Sequence, residues 1–212
     1  AAANEIDHNP IGIRGAYQIG PENWGGELYN LIHDNEVGVY ALPGAEVRYN
    51  RIYANQTGVQ LEGNTRIHHN LIYRNTDGGV LLDGAYNVDI VNNTIYADSG
   101  DGIQLTGGVI NADIRNNIVY TASGYGLNVA ADSQYGYASD YNNYFTGGSG
   151  YANLSDKPTL GSVAALNSVP KVSAYRLSFS GVFRSPNSKQ LAPNRKSCES
   201  CSTVTSVPCL TG

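Results

Sequence analysis

An asparagine that keeps returning, each time with an apolar or aromatic residue two positions later, constrains this chain more than any other feature. The anchors are Asn4, Asn30, Asn50, Asn70, Asn93, Asn117 and Asn143, spaced by 26, 20, 20, 23, 24 and 26 residues. Recurrence at such a period is the signature of a solenoid, whose single repeats cannot bury an apolar face and must stack. Uneven spacing suits strands of fixed length joined by turns of variable length. A helical repeat does not fit, because there is little 3.6-residue periodicity and Gly, Asn and Thr interrupt every run.

Each unit holds three short segments that alternate with period two. Ile32, Ile52, Ile72, Ile95, Val119 and Phe145 stand two residues after the Asn. Val39/Ala41, Val59/Leu61, Val80/Leu82, Ile103/Leu105 and Leu127/Val129 follow a glycine. Val47, Ile67, Ile90 and Ile114 stand three residues before the next Asn. These segments spell an all-β fold, a parallel β-helix of about six coils with three short strands per coil, stacked ~4.8 Å apart by strand pairing. The Asn file is expected to form a side-chain amide ladder at one corner. The glycine ahead of each Val or Ile is expected to supply a corner with positive φ.

Charge divides the chain where the repeat ends. Residues 1–164 carry seven Lys/Arg against seventeen Asp/Glu, a net of −10, and residues 165–212 carry six against one, a net of +5. The reading assigns 1–150 to the solenoid and 151–212 to an irregular extension that packs on it or is partly disordered. Cys198, Cys201 and Cys209 all fall in that extension. A zinc site there lacks a fourth ligand, since no His follows residue 69. The overall charge of −5 argues against nucleic acid, which calls for a basic face, and no apolar run reaches the ~20 residues of a membrane span. The absence of Met leads us to expect a processed form or an excerpt of a larger protein.

The stretches "NLIYRNTDGGVLL", "NNTIYADSGDGIQL" and "IRNNIVY" resemble the right-handed parallel β-helix repeats of the pectate-lyase-like superfamily. "SDYNNYFTGG" (139–148) is similar to the segment closing such solenoids in large secreted bacterial proteins. The resemblance covers roughly residues 4–150 and implies a right-handed coil. It also implies a secreted or cell-surface protein whose partner is an extracellular polysaccharide, as in the lyases, glycoside hydrolases, mannuronan C5-epimerases and non-catalytic adhesion proteins of that group. One fold serves all of these, so activity does not follow from it. The Tyr-Gly-x-Asp-Pro-His segment of the epimerases is missing, with "IDHNPIG" the nearest string. Residues 1–156 also contain no Lys, unlike the Lys/Arg-lined strands of pectate lyases.

The register nominates candidate sites. Glu46, Arg66, Asp89 and Asp113 flank the third inward segment on one side, and Arg48, His68, Val91 and Arg115 on the other. Arg66 and Arg115 are suited to hold uronate carboxylates while His68 or a Tyr exchanges a C5 proton, with Arg48, Glu46, Asp89 and Asp113 as further contacts. The competing structural reading is a solvated ladder in which Arg66 pairs with Glu46 below and Asp89 above. Tyr53, Tyr73, Tyr96 and Tyr120, with His33 below, form an outward column that could serve either as a sugar platform or as mutual support.

Leu31, Leu71 and Ile118 form an apolar wall suited to self-association or to cover by the extension. Glu62 and Asp83, equivalent positions one coil apart, offer a calcium site or, more simply, turn-forming acids; otherwise no cofactor is expected. His68 and His69 are neighbours on a strand and are expected to face opposite ways, which disfavours joint action. The functional expectation is contact with an acidic extracellular glycan, in a lyase- or epimerase-like enzyme or in a non-catalytic structural or adhesion module.

Overall fold

The computed structural model describes residues 4–21 and 29–154. Twenty strands fall into three sheets, and every pairing is parallel and joins one coil to the next. The first sheet holds β1 (Glu5–Asp7), β4 (Leu31–His33), β7 (Arg51–Tyr53), β10 (Leu71–Asn75), β13 (Thr94–Ala97), β16 (Ile118–Thr121) and β19 (Asn143–Thr146). The second holds β2 (Ile11–Gly15), β5 (Val37–Ala41), β8 (Thr57–Leu61), β11 (Gly78–Asp83), β14 (Asp101–Thr106), β17 (Tyr125–Val129) and β20 (Gly150–Leu154). The third holds β3 (Gln18–Ile19), β6 (Glu46–Arg48), β9 (Arg66–His68), β12 (Tyr86–Val91), β15 (Ile110–Arg115) and β18 (Ala138–Asp140). This is the β-solenoid expected, three strands to a coil. Among the described residues there is no α-helix, and no helix is long and apolar enough to cross a membrane.

Like stacks on like in the core. Ile32, Ile52, Ile72 and Ile95 follow one another in register and are at most 1% exposed. Val47, Ile67, Ile90 and Ile114 form a second inward file, all at 0%. Each such side chain contributes roughly 1.5–3 kcal/mol by leaving water, but only when the neighbouring coils cover it.

At the corner between the third and first sheets the asparagines form the expected ladder. Asn4, Asn30, Asn50, Asn70, Asn93 and Asn117 each donate from Nδ2 to Oδ1 of the next coil's asparagine at 2.8–3.1 Å. The last rung is Asn142, where the spacing had pointed to Asn143. Tyr144 therefore turns into the core while Phe145 turns out, reversing the expected placement of Phe145. Backbone explains the shift, because the residue just before a rung (Tyr49, His69, Asn92, Asn116, Tyr141) holds φ between 54° and 58°. That left-handed step makes the bend and sets the following asparagine inward.

A second ladder was not foreseen. Asn9, Asn35, Asn55 and Asn75, the closing asparagines of the N-x-I-x-x-N units, stack at the corner between the first and second sheets. The same left-handed step precedes them, at His8, Asp34, Ala54 and Arg74.

The glycines opening the second strand of each coil correct another expectation. Gly38, Gly58, Gly79, Gly102 and Gly126 do not have positive φ; they are needed for space. A Cβ on Gly58 would lie 2.5 Å from Gly79 O and 2.8 Å from both Asn75 Nδ2 and Ile72 Cγ2. The solenoid also runs past residue 150, since β20 pairs with β17 as far as Leu154. Of the stretch assigned to the extension, residues 155–212, with all three cysteines, lie outside the described residues.

Candidate functional site

The outer face of the third sheet carries the charged columns read from the sequence. Register stacks Glu46, Arg66, Asp89 and Asp113 in one file and Arg48, His68, Val91 and Arg115 in the other. Alternation along β6, β9, β12 and β15 puts both files outward because Val47, Ile67, Ile90 and Ile114 face in.

The pairing differs from the expected ladder. Glu46 Oε2 meets Arg48 Nη1 at 3.4 Å and Glu46 Oε1 meets His68 Nε2 at 2.8 Å, while Arg115 Nη2 meets Asp113 Oδ2 at 2.5 Å. Arg66 pairs with neither Glu46 nor Asp89 and stands exposed among the described residues. Shorter reach decides this: Arg48 and Arg115 close on carboxylates of their own strands, two residues away on the same face.

These contacts set the electrostatics. The hydrogen bond from His68, helped by Arg48, holds the Glu46 carboxyl below its usual range against the effect of burial. Burial pushes the Asp113 carboxyl up, against the pull of Arg115. His68 itself is only 6% exposed. Arg66 and His68 share β9, but Arg115 lies two coils away on β15, roughly 10 Å along the stack. The two arginines nominated to hold carboxylates and the histidine nominated for proton exchange are therefore spread along the stack rather than gathered on one coil.

In the first sheet the aromatic column stacks on itself. Tyr53 and Tyr73 lie face to face with centroids 4.9 Å apart and planes 12° from parallel, and His33 stacks below Tyr53 at 4.7 Å. Above a break, Tyr96, Tyr120 and Phe145 continue at 4.8 and 5.2 Å. Sugar platforms present ring faces; here neighbouring rings cover one another's faces within each stack. The apolar wall beside it is interrupted, since Arg51 and Thr94 alternate with Leu31, Leu71 and Ile118.

Three parallel sheets, coil-to-coil pairing and a repeated corner make the architecture. Residues 25–157 match the family described as the right handed beta helix region. The chain belongs to that family. Neither the curated proteins nor the solved structures return a match.

Elsewhere on this right-handed β-helix lie the two carboxylates nominated for calcium. Glu62 accepts a hydrogen bond from Tyr40, whose hydroxyl pKa is raised chiefly by that bond, and Asp83 faces Thr106 in register. The three-donor cluster found among the described residues is instead Glu5, Asp7 and His33, with ligand atoms within 4.8 Å of one another. There His33 Nδ1 meets Asp34 at 2.6 Å and Nε2 meets Glu5 at 3.1 Å. The bond to Asp34, foremost, raises the His33 pKa above its ordinary value even though burial opposes it.

A group that holds its proton more tightly when folded stabilises the fold fully below its unfolded value, here about 6.5. That contribution is lost as the pH rises through the raised folded value. Urea midpoints are expected to fall across this window, and Asp34→Asn is expected to flatten the fall. A wild-type profile that stays level through the window contradicts the assignment.

Beside this cluster a groove of about 540 Å³ opens at the second Asn corner, lined by His8, Asp34, Glu36, Gln56 and Thr76 among others.

Sequence reading missed the residues that occupy the left-handed corner. Alternation had set His68 and His69 on opposite faces, yet their Nδ1 atoms lie 2.8 Å apart. The left-handed step at His69 (φ 56°) ends the alternation and turns the ring back beside its neighbour. Tyr49, at the same position one coil below, packs its ring 5.2 Å from that of His69. The available signal was position, namely the residue immediately before each ladder asparagine.

Proposed function

We propose that this β-helix holds an acidic extracellular polysaccharide along its third sheet, as the contact module of a secreted or cell-surface protein. One observation carries the reading: Arg66 stands exposed at the centre of the charged face, unpaired with the carboxylates directly below and above it. An uncommitted guanidinium offers a bidentate fork to a carboxylate. The coil advance of ~4.8 Å is close to one sugar unit of an extended chain, so successive coils meet successive units. His68, buried and bonded to Glu46, favours holding over C5-proton exchange.

A second reading, a spacer whose surface charges only hold coils together, is favoured by the internal pairing of Arg48 and Arg115. Titrating the protein with alginate and pectate oligomers separates the two. Binding is expected, and Arg66→Ala is expected to weaken it about tenfold or more, the cost of losing one charged hydrogen bond. No binding to either polyuronate returns the molecule to the spacer reading. Unsaturated-uronate absorbance appearing during incubation identifies a lyase.

A further inference from the structure

We infer that Arg66 and His69 together form a carboxylate subsite that acid switches on, its charge set by the hydrogen-bonded string His69–His68–Glu46. The inference rests on the polyuronate reading above. The string begins at Glu46, whose carboxylate oxygen lies 2.8 Å from His68 Nε2. An ionised carboxylate only accepts, so Nε2 carries a proton. Neutral His68 then has a bare Nδ1, and this atom lies 2.8 Å from Nδ1 of His69. A nitrogen–nitrogen contact of that length holds one proton, which in the neutral pair resides on His69. The remaining nitrogen of His69, Nε2, is left as an acceptor, 3.4 Å from the Asn92 amide.

This geometry makes the two rings unequal. One added proton fits on His69 Nε2 while both hydrogen bonds of the string survive, and the Asn92 amide turns over to accept from it. A second proton, on His68 Nδ1, sets two N–H groups head to head and breaks the string. The first added charge therefore arrives on the exposed ring of His69, beside the strand that carries Arg66.

The groups around it come from three strands and the corner: Glu46 and Arg48 from β6, Arg66 from β9, Asp89 from β12, and Tyr49 below the ring. Among these, Arg66 resists the proton on His69, and Glu46 is joined to that ring only through His68. Burial, then His68 and Arg66, keep the His69 pKa below its ordinary value, so the switch operates on the acid side of neutrality. A sugar carboxylate stays ionised there and gains a second cation.

The test pairs two measurements on the full chain. In ¹⁵N spectra of the histidine rings, the first proton added to the pair is expected on His69 Nε2, with the Nδ1–Nδ1 hydrogen bond kept. A first proton on His68 Nδ1, with that hydrogen bond lost, overturns the inference. Affinity for oligogalacturonate is expected to rise about fivefold from mildly basic to mildly acidic pH, the effect of one unit charge at contact distance in water. In His69→Gln the rise is expected to vanish. Binding by the wild type with no such rise overturns the switch and leaves the polyuronate reading standing. No binding at any pH removes both.

Discussion

Replacing Asn70 by alanine is expected to destabilise the solenoid by about 3–5 kcal/mol, because it strands several buried backbone groups at once. The Asn70 amide donates to Val47 O at 2.9 Å, His68 O at 3.0 Å and Asn93 Oδ1 at 3.1 Å. Its oxygen accepts from Asn50 N at 3.0 Å and Asn50 Nδ2 at 3.1 Å. One side chain thus ties three successive coils together in a site 3% exposed, where water cannot replace the lost partners. Asn70→Asp is expected to be worse near neutral pH, since a buried carboxylate would face three acceptors. It should recover in part in acid, where the protonated form is stable and can donate one hydrogen. Asn4→Ala is the contrast: Asn4 is exposed and gives one ladder bond, so a change of about 1 kcal/mol or less is expected. Urea denaturation, with the slope checked for constancy, measures all three. An Asn70→Ala protein within about 1 kcal/mol of the parent contradicts a ladder that binds the coils.

The second large effect is expected from adding one methyl group. At Gly79 a Cβ would lie 2.5 Å from the carbonyl oxygen of Gly102 and 2.5 Å from Ile95 Cγ2. The first obstacle is backbone of the next coil, which cannot swing aside, so Gly79→Ala must separate strands that are otherwise paired. A loss of about 3 kcal/mol is expected, at the upper end for overpacking by a methyl group. Gly108→Ala tests the alternative cause. Gly108 has φ +80° but nothing within 4 Å of its absent Cβ, so only the left-handed strain of about 1–2 kcal/mol applies. If Gly108→Ala proves the more damaging substitution, backbone conformation rather than coil spacing governs these glycines. Because each coil contacts only its neighbours, local loss at residue 79 is also expected to show as faster hydrogen exchange in β8, β11 and β14.

Both effects concern features that sequence reading reached only in part. The ladder from Asn30 to Asn117 and the inward files of Ile and Val followed from a fixed recurrence and a period of two. Those patterns are local, and burial leaves few other registers for them. The end of the ladder did not follow: Asn142 and Asn143 look alike in sequence, and only the left-handed Tyr141 decides which one turns inward. The charged face was legible as a list of residues, because alternation dictates who points out. Its pairing was not, because the choice of Arg48 over Arg66 by Glu46 depends on side-chain reach within one strand against reach to the next.

The amino-acid sequence by itself therefore determined the architecture. A returning asparagine, three alternating segments and spacing of 20–26 residues leave a stacked parallel coil as the one way to bury the apolar half of every strand. What only the tertiary structure decided lies at the corners, where alternation stops. There it turned His69 back onto His68, closed a second ladder through Asn35, Asn55 and Asn75, and, among the described residues, left Arg66 outside the ion pairs of its face. Period-two rules describe extended backbone, whereas a single left-handed residue redirects the side chain it carries, and which groups it then meets is settled by the coils above and below.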